Sequence, residues 1–174
     1  VPIEPRRGQV LVTEKAPLDI LKLPVRTMKY VAVKFRPQKD TEHTDDRDEK
    51  LGLSLNASQT ASGNILIGAT REFVGYDTHV SLEGMMAIAR NIVRLLPGLQ
   101  SFHIIRVFAG LRPYSPDGLP FLGYAKNIGG FISAAGHEGD GMALSPLTGR
   151  LISELVTKGK TRYPLEKMSP ERFD

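Results

Sequence analysis

Gly110-Leu111-Arg112-Pro113-Tyr114-Ser115-Pro116-Asp117-Gly118-Leu119-Pro120-Phe121-Leu122-Gly123 and, after a short connection, Gly130-Phe131-Ile132-Ser133-Ala134-Ala135-Gly136-His137-Glu138-Gly139-Asp140-Gly141 decide how this chain is read. The first stretch sets an arginine immediately before a rigid Pro/Gly loop, and the adjoining Pro113 presents its guanidinium as a fixed fork for a carboxylate or phosphate. The second is a strand that stops in a glycine-rich turn and opens a helix, which leaves unpaired N–H groups at the positive end of the helix dipole. Side by side, the two suit an anion and a planar cofactor. Each also has a plainer reading. From the residues alone the plainer reading is favoured for Arg112, a surface arginine paired with an acid, and for His137, a structural hydrogen-bonding residue, while the glycines read as suppliers of positive φ. The order Gly-x-x-Gly-x-Gly is neither the dinucleotide fingerprint Gly-x-Gly-x-x-Gly nor a P-loop.

Working outward, Gly8 to Thr13 is a short β-rich run, and Val25 to Phe35 alternates apolar with basic residues as a half-buried strand does. Pro37 to Lys50 holds no apolar residue and reads as a solvated loop containing the acids Asp45 and Asp46. Leu51 to Gln59 and Ile65 to Ala69 flank Ser62-Gly63-Asn64 and predict an antiparallel hairpin. Ser81 is a candidate N-cap for a helix from Leu82 to Leu96, with Met85, Ile88, Ala89, Ile92, Val93 and Leu96 on one face and Pro97-Gly98 as its stop. Phe102 to Phe108 reads as a strand and Gly130 to Ala135 as a buried one. A second amphipathic helix spans Leu144 to Thr157, with Leu147, Leu151, Ile152 and Leu155 on one side. Strands come in runs, so the expected class is α+β, a mainly antiparallel sheet with two principal helices.

The chain has 174 residues, 41% of them apolar, enough for one core. Its formal charge of +4 is scattered, with no aromatic and basic stripe, so a nucleic-acid partner is not expected. No apolar run reaches about 18 residues, so no membrane span is expected either. Without an export signal, and with no cysteine, the default location is cytoplasmic. His43, His79, His103 and His137 lack metal-ligand spacing, and no metal site is expected. There is no nucleophile elbow of the Gly-x-Ser-x-Gly type. The opening at Val1, with no initiating Met, suggests a piece of a longer polypeptide.

Four segments in order resemble the C-terminal half of the glycine oxidase, sarcosine oxidase and D-amino-acid oxidase family of FAD-dependent amine oxidoreductases. They are Pro5-Arg6-Arg7-Gly8-Gln9; Gly68-Ala69-Thr70-Arg71-Glu72 through Gly75-Tyr76-Asp77; Gly110 to Pro113 with Asp117-Gly118-Leu119-Pro120; and Ala135 to Gly141 with Leu144-Ser145-Pro146. The resemblance implies a substrate-binding sheet domain over 1–109, a returning segment over 110–158 that completes the FAD site, and an irregular tail over 159–174. It places the nucleotide-binding domain outside this chain. By the same resemblance Arg112 grips the substrate carboxylate, Tyr76 and Arg71 wall the pocket, and Gly136, His137, Glu138, Gly139, Asp140, Gly141, Met142 and Ala143 approach FAD. For Tyr76 and Arg71 the plainer readings are a core tyrosine and a surface arginine.

The implied activity is oxidation of the C–N bond of a small amino or imino acid by hydride transfer to flavin, with no side-chain base. Where relatives of glycine oxidase carry an arginine after the histidine, this chain has Glu138-Gly139-Asp140. Pro2 to Glu14 and that turn are closer to small-amine and proline-dehydrogenase-like subunits, which implies an electron-accepting subunit as a further partner, but these residues leave both oxidase and dehydrogenase open. The alternative reading is a non-catalytic binding or subunit-assembly module that holds no FAD by itself.

Overall fold

The computed structural model describes residues 1–29 and 47–173, and the described chain forms two compact units, Arg6–Leu111 and Val1–Pro5 together with the chain from Arg112 onward. Strands β1 (Glu4–Lys15), β2 (Val25–Arg26), β3 (Asn56–Gln59), β4 (Asn64–Gly68) and β5 (Ile104–Tyr114) form one sheet in the order β2-β3-β4-β1-β5. The β2/β3, β3/β4 and β1/β4 pairs are antiparallel. Register explains the burial. Leu11 faces Ile67, and Ile67 faces Ala57, so one cross-strand row puts three apolar residues on the same face. All three are buried. The ladder shifts between Val12 and Lys15, and there the buried Thr13 hydroxyl accepts the Ile65 N–H at 3.0 Å, which a backbone carbonyl would otherwise do.

Helix α2 (Leu82–Leu95) covers this face. Ser81 caps it as expected, its Oγ accepting the Gly84 N–H at 3.1 Å. Its apolar stripe is turned slightly from the predicted one. Gly84, Ala87, Ile88 and Ile92 are buried, whereas Met85, Ala89, Val93 and Leu96 pack at the edge of the core. The rotation follows from the Gln9 side chain under Gly84: a Cβ at residue 84 would collide with the end of that side chain, which bonds to Glu72 and Ser81 hold in place.

Other predicted boundaries change. The strand expected over 25–35 is confined among the described residues to Val25–Arg26, with helical backbone at Met28 and Lys29; the remainder, like most of the charged loop with Asp45 and Asp46, lies outside the described residues. The last four residues of that loop form a helical turn, α1 (Arg47–Lys50). Charge anchors it: Asp48 accepts hydrogen bonds from Arg90 at 2.6 Å and Asn91 at 2.8 Å on α2. Of the first predicted hairpin strand, regular strand is confined to Asn56–Gln59; ahead of it Leu51 is buried in a turn, Leu53 and Leu55 are buried in the connecting chain, and Ser54 still exchanges both backbone hydrogen bonds with Ala69.

In the second unit β6 (Phe121–Tyr124) pairs antiparallel with β7 (Ile132–Ala135), and helix α3 (Gly141–Lys158) packs on β6. β6 falls where the sequence reads only as loop, because Pro120 directly precedes this four-residue strand and Gly123 lies inside it. β7 buries only Ser133, not a continuous apolar run. On α3 only Leu151 is fully buried, while Leu147 is 43% exposed. Pro146 deprives the Met142 carbonyl of its helical donor, and the Ser145 hydroxyl bonds it instead at 3.0 Å. The tail is less irregular than expected: it contains a 3-10 turn at Glu166–Met168 and is fastened by Arg172.

Candidate functional site

β5 delivers Arg112 near its C-terminal end, followed by the loop from Ser115 to Pro120. β6 and β7 then return the chain to Gly136, and a 3-10 turn (Glu138–Asp140) leads into α3. Gly136 has φ +79°, and a Cβ there would meet the Phe121 ring at 3.0 Å, so both backbone conformation and packing demand glycine. His137 packs its Nε2 2.9 Å from the Thr148 hydroxyl on α3. Burial pushes its imidazole below the ordinary histidine range, which keeps it neutral at pH 7.

Arg112 and the turn come together through Glu138. Arg112 Nε lies 3.8 Å from Glu138 Oε1, and the two side chains are 19% and 7% exposed. Glu138 holds φ +52°, unusual for an acid, and its Oε2 accepts the Gly139 N–H at 2.6 Å. A carboxylate is thus fixed beside the guanidinium by its own backbone. The first turn of α3 contains no acid and receives no capping hydrogen bond from the Asp140 side chain. Its N–H groups at Gly141, Met142 and Ala143 therefore suit an electron-rich partner, and Met142 is 93% exposed.

The loop below is set by a residue that the sequence did not point to. Arg172 donates to Asp117 through Nε at 2.7 Å and Nη2 at 2.8 Å, and to the Leu119 carbonyl at 2.7 Å, while its Cζ lies 3.6 Å from the Phe121 ring centroid. These bonds, joined by donors from Leu119 N–H and the Ser115 hydroxyl, hold the Asp117 carboxyl down to about 2. The loop, Phe121 and the glycine that rests on its ring are thereby tied to the tail. The only local hint is an acid in a Ser-Pro-Asp-Gly loop; its partner stands 55 residues away.

Arg71 and Tyr76 belong to the other unit, and their environments reverse the plainer expectations. Arg71 is 1% exposed, with Nη1 donating to the Ser54 hydroxyl, whereas Tyr76 is 85% exposed. Their neighbours form a polar lock. Arg7 donates to Glu72 at 2.8 Å, to Asp77 at 2.7 Å and to the His79 carbonyl at 2.9 Å; Gln9 and Thr70 also donate to Glu72. Burial works to raise the Glu72 pKa, but these donors outweigh it and hold the carboxylate ionised. Among the described residues no helix is long and apolar enough to cross a membrane, and no three His, Asp or Glu side chains are grouped to hold a metal.

Residues 1–155 match the sequence profile of the family described as FAD dependent oxidoreductase, DAO. The chain is 32% identical to the hydrogen cyanide synthase subunit HcnC of Pseudomonas protegens, over 99% of this chain and 35% of that protein. To the glycine oxidase of Geobacillus kaustophilus it is 38% identical over 64% of this chain and 30% of that protein. The crystal structure of that glycine oxidase superposes with a TM-score of 0.77 at 27% identity, over 99% of this chain and 40% of the other. The L-proline dehydrogenase of P. horikoshii gives a TM-score of 0.81, also at 27% identity, over 99% and 41%. The chain therefore spans 35% or less of these curated relatives.

Proposed function

Because the chain belongs to the DAO family of FAD-dependent oxidoreductases, we propose that the protein containing it oxidises the C–N bond of a small amino or imino acid, with Arg112 binding the substrate carboxylate and the turn from Gly136 to Ala143 contacting the flavin. One observation carries this reading: the 3.8 Å approach of Arg112 to Glu138 sets an anion clamp at the mouth of a helix whose N-cap, Asp140, makes no side-chain capping bond. The flavin, when bound, supplies the acceptor for hydride from the carbon beside the amine. Arg112 would orient that carbon by fixing the carboxylate. The N–H groups of Gly141, Met142 and Ala143 would stabilise negative charge arriving at the start of α3. His137, neutral and bonded to Thr148, would keep the turn in place rather than move a proton.

Two similar proteins support the substrate class, since a glycine oxidase and an L-proline dehydrogenase act on small amino acids. HcnC is named a subunit, which supports assembly of the whole protein with a further subunit. In the FAD-loaded protein Arg112→Ala should lower kcat/KM by about thirtyfold or more, the cost of about 2 kcal/mol or more for truncating one partner of a buried charge pair. An unchanged kcat/KM would remove the assignment.

A further inference from the structure

We infer that Glu138 is a specificity-determining residue that restricts this site to substrates carrying a single carboxylate. The inference rests on Arg112 being the carboxylate clamp, and it adds what the neighbouring acid does there. Three observations converge on Glu138. Its carboxylate is 7% exposed and 3.8 Å from Arg112 Nε, so the clamp already carries an anion. The Gly139 N–H at 2.6 Å holds that anion in place. The backbone at φ +52° commits the side chain to this direction at a cost that a glycine or asparagine would avoid.

A substrate monocarboxylate adds one negative charge to an Arg112–Glu138 pair of net charge zero. A substrate with a second carboxylate must place another anion in the same half-buried surroundings, where Arg112 is already shared. Like charges brought together away from water are strongly disfavoured, so Glu138 acts by repulsion against the wrong substrate as much as Arg112 acts by attraction for the right one. His137, neutral beside it, offers no compensating charge.

Butyrate and succinate differ by the second carboxylate and little else, and their dissociation constants from the FAD-loaded holoenzyme are measurable by titration calorimetry without turnover. Butyrate is expected to bind at least about tenfold more tightly than succinate. Glu138→Gln, which keeps the shape and the acceptor for Gly139, should erase most of that ratio, whereas Glu138→Asp should retain it. Should the Gln variant fail to fold, Glu138→Gly, suited to the positive φ, decides the matter by the same ratio. A ratio unchanged in the charge-free variant overturns the role of Glu138. Arg112→Lys and Arg112→Ala separate the two ideas: if butyrate affinity is indifferent to both, the clamp itself is wrong. If it falls in them while the ratio ignores Glu138, only the present inference is lost.

Discussion

Arg172 has wide leverage in the second unit, because one guanidinium satisfies Asp117, the Ser115 hydroxyl and the Leu119 carbonyl while lying on Phe121. Hydrogen bonds to charged groups are worth about 1.5 to 3 kcal/mol each before mutual dependence is considered, so Arg172→Ala should destabilise this unit by about 2 to 3 kcal/mol in denaturant titrations. Asp117 sets the pH dependence. Its carboxyl titrates at about 2 when folded, below the ordinary carboxylate value of about 4, so the folded form gains stability that is fully present above that ordinary value. The gain is lost as pH falls through about 2. Hydrogen exchange of Leu119 and the tail should therefore stay slow down to about pH 3, and Asp117→Asn should abolish the acid step. His137 acts in the same direction at higher pH, since its folded pKa lies below its unfolded one: protonation as pH falls below about 6.5 disfavours the folded state.

At the scale of elements, local signals served where they were self-contained. Ser81 followed by an apolar stripe and Pro97 marked α2 nearly to the residue, since cap and stop chemistry are written in adjacent positions. Asn64–Gly68 was legible as the return of a hairpin for the same reason. What escaped depended on distant partners. β6 exists because Phe121 to Tyr124 meets Ile132 to Ala135, and the rotation of α2 exists because Gln9 lies beneath it. Within the candidate site, Arg112 and the glycine turn could be singled out from residue types and order, but the Arg112–Glu138 pair could not, because it needs a bend at φ +52° that no glycine announced. The Gln9 contact gives this scale its prediction. Alanine is the better helix former by about 1 kcal/mol, yet Gly84→Ala should lose about 1 to 3 kcal/mol through overpacking, read as a lower midpoint of thermal unfolding. Gln9→Ser in the same chain should recover part of the loss.

For the whole molecule, the α+β class and the antiparallel sheet expected from runs of strands are present, and the family resemblance is matched by the profile over residues 1–155. On the proposed reading, these residues would offer a flavin a turn and a helix tip, while the sequence holds no Gly-x-Gly-x-x-Gly cradle for its nucleotide half. The isolated 174-residue chain is accordingly expected to purify colourless, and a stoichiometric flavin absorbance spectrum would contradict the division of labour set out above. The alternative reading of the chain as an assembly module shares the colourless outcome and is separated from the proposed function by the activity of the whole protein.

Glu138 gives the chain a conflict between robustness and discrimination. A left-handed backbone costs an ordinary residue about 1 to 2 kcal/mol that glycine escapes, so selection acting on folding alone has a ready improvement at this position. Retaining an acid there is affordable only while the choice between competing metabolites matters to the organism, and relaxed demand on that choice would let the position drift toward glycine.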